Sequence, residues 1–399
     1  MKTCGKVLYD LPPSDSHETV TSTEYGHCRP KSANFLEGGQ EYCLALFVTF
    51  GPLRWFRAHL PLLTFGDIRS RQTLTCIYSS LRYANQIQLF VREASVMDNA
   101  APAILDSHQH FLDARRFRYP VFASRNAGFE ALFGDYTALP RVYLPEDYSR
   151  DTEGLNVVKT MWVEFISDDP GGEVRWASEL ADVTGRPDGM IARVDFFDPE
   201  LDRVLDAYAS VGRVRCVRQH LGWHPTNPLL SFAPRRDLLC DDAWRRGIAA
   251  LRERGLVCEI EIFSPQLPDL VSVVEAYPEI QFVLPVMGWP IDLTSDGHAA
   301  WRRAMSSVSA CSNVTVKIFA MECIFGIHWT VPQVRPWILQ TIDIFGPDRC
   351  MFASHMPLCK LACSFQQLYE AYFEIIADFS VSEKRQLLHD TAAKVYGLQ

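Results

Sequence analysis

Two imidazoles stand one residue apart in Asp106-Ser-His-Gln-His110. Side chains alternate between the faces of an extended strand, so His108 and His110 point the same way. A pair so placed can share a metal ion or orient a substrate oxygen; the competing reading is two satisfied core histidines. A third imidazole, His355, stands far along the chain in Ser354-His-Met-Pro357. Histidine exchanges protons near neutral pH, so His355 is the leading candidate for a general acid or base, against the plainer role of capping a turn. Arg218 brings a planar guanidinium that can clamp a carboxylate or polarise a carbonyl. Otherwise it is an internal partner for Glu164 or Glu261. Lys317 can stabilise a developing oxyanion or, unprotonated, act as an amine nucleophile; a buried ion pair with Glu261 is the commoner alternative. His220 and His224 share a loop with Trp223, one facing a pocket and the other packing on the tryptophan. Glu322 is placed at the mouth.

These residues need a scaffold that brings them together. From Ala101 onward, short β-branched or apolar runs alternate with helix-like stretches, the signature of repeated βα units. The strands read at 103–108, 156–165, 189–196, 212–219, 257–263, 280–287, 313–319 and 349–354. Amphipathic helices read at 173–183, 241–254, 268–277 and 331–345, with a final packing helix at 382–396. Eight strands alternating with helices favour an α/β fold closed as a (β/α)8 TIM barrel. Functional groups in such a barrel gather at the C-terminal ends of strands. That rule places His108 and His110 after the first strand, Glu164 after the second and Arg218 after the fourth. Glu261, Lys317 and His355 follow the fifth, seventh and eighth.

The same segments carry a resemblance. Asp106-x-His108-x-His110, Arg218-Gln219 and Ser354-His-Met-Pro357 resemble the amidohydrolase-related family. So do Gly134-Asp-Tyr136, Glu173-x-Arg-Trp176, Val217-Arg-Gln-His220 with Trp223-His-Pro225, Ala243-Trp-Arg-Arg-Gly247 and Arg349-Cys-Met-Phe-Ala-Ser354. The likeness covers nearly all of 101–399. It implies a predicted metal-dependent hydrolase of the lactonase-like branch; the family also holds a pyrone-dicarboxylate hydrolase and decarboxylases. Arg141 and Tyr143 then resemble the lid over the pocket. Tyr148 and Trp289 could add an aromatic wall suited to an aromatic or polyketide-like substrate, against the commoner reading of plain core aromatics. Three positions depart from the family pattern. Val286 stands where a histidine is expected after the sixth strand, His355 where an aspartate is expected, and Trp162 where some relatives place histidine. A metal site needs enough N or O ligands to fix its geometry, so no obligatory cofactor is favoured. Zinc held by His108 and His110 with Glu164 or His355 is the alternative.

Composition narrows the classes. The chain has 399 residues, 48% of them hydrophobic, enough for one barrel plus an extension. A net charge of −9 argues against nucleic acid, which demands a basic surface. Twelve cysteines are scattered without a C-x-x-C pair, which suggests reduced thiols and a cytoplasmic home. No apolar run is long enough to suggest a membrane partner. No G-x-S-x-G, Walker loop or G-x-G-x-x-G is found, and Gly171-Gly172 reads as a loop hinge. Residues 1–100 read as an N-terminal extension of low order and 101–399 as the barrel. Within the extension, 11–40 read as disordered, and 42–92 as a poorly specified flank or helical cover. Met97 is an alternative start. The partner expected is a small-molecule substrate; a homo-oligomer stays open.

Three functions compete. The first is hydrolysis of a lactone or ester of a small oxygenated metabolite, secondary metabolism included. The second is a lyase step, such as decarboxylation, dehydration or cyclisation, on the same barrel. The third is a catalytically silent binding protein.

Overall fold

The computed structural model describes residues 101–398 and the backbone of two strands, 43–49 and 55–61. Those two strands, β1 (Cys43–Thr49) and β2 (Trp55–Pro61), pair antiparallel. At these residues the chain is strand, not helix, and their aromatic and aliphatic residues suit a pleated strand; the rest of 42–92, read as a poorly specified flank or helical cover, lies outside the described residues. The disorder expected for 11–40 and the alternative start at Met97 lie outside the described residues.

The eight expected barrel strands are all present. They are β3 (Ile104–Gln109), β6 (Val157–Val163), β7 (Gly189–Arg193), β8 (Val214–His220), β9 (Val257–Glu261), β10 (Phe282–Leu284), β11 (Val314–Ile318) and β12 (Cys350–Phe352). They lie side by side in that order, and every ladder between them is parallel. Between β3 and β6, short strands β4 (Leu112–Asp113) and β5 (Val142–Tyr143) pair antiparallel. Parallel strands covered on both faces read as buried apolar runs, and Met161-Trp-Val163 and Phe282–Leu284 are of that kind. Leu105, Met161, Ile191, Cys216, Val257, Val283 and Met351 come from seven different strands and meet in one cluster with Ala392 and Tyr396 of the last helix. Strands so far apart in the sheet meet this way on the inside of a barrel.

The outer helices follow the expected pattern, and Val331–Phe345 matches the reading residue for residue. The helix expected from 173 starts earlier, at Pro170. Asp169 Oδ1 accepts from Gly172 N, and proline occupies the first turn, where its missing N–H costs nothing. Gly171-Gly172 is thus helical, not a loop hinge.

The first and last strands meet at a seam without a regular ladder. Ser107 Oγ donates to Phe352 O at 2.9 Å, His355 N to His108 O at 2.8 Å, and His110 N to Met356 O at 2.7 Å. The three candidate histidines therefore sit where the barrel closes.

Candidate active site

β3 carries His108 and delivers His110 just past its end; His355 follows β12 across the seam. The imidazole centroids stand 4.9 Å apart for His108 and His110, 5.3 Å for His108 and His355, and 5.5 Å for His110 and His355. The seam is clamped from below by Asp106, whose carboxylate accepts from Ser354 N at 2.8 Å, Ser354 Oγ at 2.6 Å and Tyr148 Oη at 2.8 Å. Backbone conformations at the strand ends are unusual too. Ile166, Val286, Trp289, Ala320 and His355 all have positive φ, between 38° and 61°. Such conformations strain residues with a β-carbon and persist where surrounding structure holds them, often around a functional site.

Each histidine is held by one ring atom. His110 Nδ1 lies 2.9 Å from Val163 O; a carbonyl can only accept, so Nδ1 carries the proton and Nε2 is bare. His355 Nδ1 lies 2.6 Å from Glu322 Oε1, which leaves Nε2 as its free nitrogen. Glu322 comes from the short helix Met321–Phe325 after β11 and is buried. His108 packs on the Phe319 ring at 4.2 Å, and its Nδ1 is buried without a partner. Burial first, then the positive charge of Lys317, holds His108 well below the usual histidine range. Burial and His355 do the same to His110. Both rings are neutral at physiological pH and can offer lone pairs.

The donors fit a divalent cation. The Nε2 atoms of His108 and His110 face each other at 3.3 Å. Two nitrogens each about 2.0–2.1 Å from a tetrahedral ion stand roughly 3.3–3.4 Å apart. Donor atoms of His108, His110 and His355 lie within 4.8 Å of one another. The preference for no metal counted missing ligands by position in the chain; the structure sets His355 beside the early pair, where its Nε2 serves either as a third ligand or, with an ion held by His108 and His110, as a base. Glu164 does not join them. Its carboxylate accepts from Arg218 Nε at 2.8 Å and Ile166 N at 2.6 Å.

Arg218 lines the floor of the cavity. Its Nε and Nη2 are tied to Glu164, whereas Nη1 lies 3.8 Å from Glu261 and 3.9 Å from Glu259, beyond hydrogen-bond reach. Burial raises Glu164, but Arg218 and then His220 outweigh it and hold the carboxyl low. Glu261 also lines the cavity; burial pushes it up to about 7 against the pull of Arg218, with Glu259 and Glu164 adding to the rise. His220 is 3.5 Å from Glu261 and is pushed down to about 3 by burial and Arg218. Lys317 does not line the cavity. Its Nζ bonds Glu259 at 2.6 Å, both fully buried, so the ion pair expected with Glu261 is made with Glu259. An ammonium locked in a buried pair is not presented to substrate.

The inner cavity holds about 60 Å³ and is lined by His108, His110, His355, Arg218, His220 and Glu261 among others. It shares Phe129, Leu132, Phe165, Phe232, Trp289 and Cys323 with an outer space of about 390 Å³. Trp289 thus stands in the wall, and His224 lines the outer space, so both loop histidines face the approach. Tyr148 does not; its hydroxyl is fixed on Asp106. Arg141 and Tyr143 lie outside both spaces. Arg141 Nη1 donates to Phe122 O at 3.2 Å, and Tyr143 Oη donates to Asp151 Oδ2 at 2.8 Å inside the fold. The lid reading thus fails on position. Glu322, expected at the mouth, instead sits buried behind His355 and lines neither space; the phenylalanines around the approach escaped the sequence. Glu322 is the one acid in the apolar stretch Ile318-Phe-Ala-Met-Glu-Cys-Ile-Phe325, which is the signal that marks it.

Comparison with known proteins places the fold and the family. The chain is 32% identical over 296 residues to an uncharacterized protein (y4mH) of Sinorhizobium fredii, covering 74% of this chain and 98% of the relative. It is 26% identical over 309 residues to an L-fucono-1,5-lactonase of Burkholderia multivorans, covering 74% and 96%. The fold is shared with a Burkholderia multivorans amidohydrolase crystallised with bound zinc (TM-score 0.61, 23% identity, 74% of this chain and 99% of that one). It is shared too with a manganese-bound 5-carboxyvanillate decarboxylase of Novosphingobium aromaticivorans (TM-score 0.52, 13% identity, 74% of this chain and 96% of that one). No helix among the described residues is long and apolar enough to cross a membrane. The sequence model of the amidohydrolase family matches residues 105–398, from the first barrel strand to the last helix, and the chain belongs to that family.

Proposed function

We propose that the chain is a hydrolase that opens a lactone or related ester of a small oxygenated metabolite. The observation that carries this reading is the meeting of His108, His110 and His355 in one cavity with Arg218, with Glu322 behind His355. Glu322 fixes the ring of His355 so that Nε2 is free to take a proton from water. The water oxygen adds to the carbonyl carbon, the ring C–O bond breaks, and His355 returns the proton to the departing alkoxide. The product is a hydroxy acid. Arg218 Nη1 is free to donate to the carbonyl oxygen as its charge grows. A divalent cation held by His108 and His110 would supply Lewis-acid polarisation of that carbonyl. Lys317 acts beneath the site, neutralising Glu259.

The test is turnover of a lactone panel in 18O-labelled water by the purified protein. One solvent oxygen in the product carboxylate supports hydrolysis. Conversion without label would overturn it and favour the lyase reading. That second reading has one observation behind it: the end of β10 lines the cavity with Val286, an apolar side chain, where the family resemblance places a histidine. Binding without any turnover would overturn both and leave a silent binding protein.

A further inference from the structure

The inner cavity, about 60 Å³, admits only the reacting edge of a ring; the rest of a substrate must lie in the outer space of about 390 Å³. That space is apolar, walled by Leu132, Phe232, Phe263, Trp289, Ile291 and Leu293 among others. Three rings form a continuous face. Phe263 and Trp289 meet edge to face at 5.1 Å, Phe232 and Trp289 at 6.0 Å, and Phe232 and Phe263 at 6.4 Å. The face is fixed in place: Trp289 O accepts from Ser264 N at 3.0 Å, and Trp289 N donates to Val286 O at 2.9 Å.

The polar side chains there are few, and each already accepts from the backbone, keeping only a donor group for a ligand. Asn126 Oδ1 accepts from Phe129 N, Ser231 Oγ from His224 N, and His224 Nδ1 from Asn227 N. A polyhydroxylated substrate would outnumber the donors of Asn126, Ser231 and His224, and each hydroxyl left against carbon would weaken binding roughly fivefold to a hundredfold. Charge is matched no better. Among the described residues lining the two spaces, Arg218 is the one arginine or lysine, and Glu164, Glu259 and Glu261 already surround it. No surplus cation waits for an anionic substituent.

We infer that the lactone or ester taken by this site carries, beside its reacting carbonyl, an uncharged apolar arm of about one or two fused aromatic rings. The size follows from volume: an engineered apolar cavity of about 150 Å³ holds one benzene. Offset and edge-on contacts with the three-ring wall suit a flat arm. The inference rests on the hydrolase reading for the reacting end and on the outer space alone for the arm.

Two measurements separate those supports. The first compares an unsubstituted δ-lactone, its alkyl, phenyl and naphthyl derivatives, and a sugar lactone. KM should fall roughly fourfold per buried methylene (about 0.8 kcal/mol each), and kcat/KM should favour the naphthyl lactone over the sugar lactone by a hundredfold or more. Equal or better turnover of the sugar lactone would overturn the inference. The second uses the naphthyl lactam, which resists hydrolysis, and follows tryptophan fluorescence. Saturable quenching that is lost in Trp289→Phe places the arm on the wall, even if no lactone in the panel is hydrolysed; in that case the hydrolase reading fails and the arm stands. A lactam that leaves wild-type fluorescence unchanged and shows no calorimetric binding at millimolar concentration overturns the arm whatever the turnover. Leu293→Glu, at the exposed rim, should raise KM for the naphthyl lactone tenfold or more while kcat moves less than threefold; an unchanged KM overturns it too.

Discussion

The pair Glu322–His355 gives the sharpest test of mechanism. Glu322 Oε1 stands 2.6 Å from His355 Nδ1, and the glutamate is buried. Glu322→Gln keeps size and one oxygen acceptor but removes the charge. A hydrogen bond with an ionised partner contributes about 1.5–3 kcal/mol. That bond is strongest when His355 holds the transferred proton, so its loss falls on the transition state rather than on substrate binding. The expected cost is therefore roughly 10- to 150-fold in kcat, with KM changed less than about threefold. His355→Ala removes the base itself and should cost more, on the order of 10²–10⁴. The assay is steady-state kinetics on the best lactone of the panel, with near-ultraviolet dichroism and thermal midpoint to show that the variants fold. If Glu322→Gln keeps kcat within threefold of wild type while His355→Ala is inactive, the carboxylate only fills space and the proton-relay argument fails.

Other consequences follow from the buried charges. Arg218→Met leaves Glu164, Glu259 and Glu261 without their shared cation; breaking such a buried network costs about 3–5 kcal/mol, seen as a lower urea midpoint, and an unchanged midpoint refutes the pairing. Glu261 rises from an ordinary 4.5 to about 7, so the folded state holds a proton that the unfolded chain has lost. Its contribution is full below pH 4.5 and disappears as pH climbs through about 7, a loss of about 3 kcal/mol. Glu261→Gln should flatten that slope between pH 5 and pH 8, and parallel slopes refute it. Purified wild type loaded with zinc should hold near one equivalent by elemental analysis, and His110→Ala should lose it; equal retention would place the metal elsewhere.

The barrel was legible because short segments rich in β-branched or apolar residues alternate with amphipathic stretches, as Val257-Cys-Glu-Ile-Glu261 precedes Leu267–Ala276. What the period of the sequence misses is backbone detail: Pro170-Gly-Gly172 looks like a loop but is the first turn of a capped helix. In the site, alternation was enough to aim His108 and His110 together, since their face is a local property. Pairing is not local. Arg218 had Glu164 and Glu261 as equal candidates, and only the register of β8 against its neighbours gives Nε to Glu164. Lys317 ended on Glu259 rather than Glu261, two residues along the same strand, for the same reason. Tyr143 read as a lid residue by resemblance and Tyr148 as part of an aromatic wall, yet both hydroxyls turn inward to carboxylates.

The site and the closure of the barrel depend on the same few bonds. Asp106 and Ser354 are 248 residues apart, and the bonds between them join the first strand to the last. Those bonds also set where His355 stands, because His355 N donates to His108 O directly above them. Long loops cost little extra entropy to close, but the buried carboxylate must find its donors or be left unpaired at low dielectric. Burial raises Asp106, and the donors from Ser354 and Tyr148 pull it back only in part. Asp106→Asn should thus fold with a weakened seam and misplace His355 against the early pair. Zinc binding by His108 and His110, which share one strand, should survive that change while turnover falls at least tenfold. Turnover at the wild-type level would show that the late histidine reaches the cavity without the clamp, and that closure and catalysis are separable.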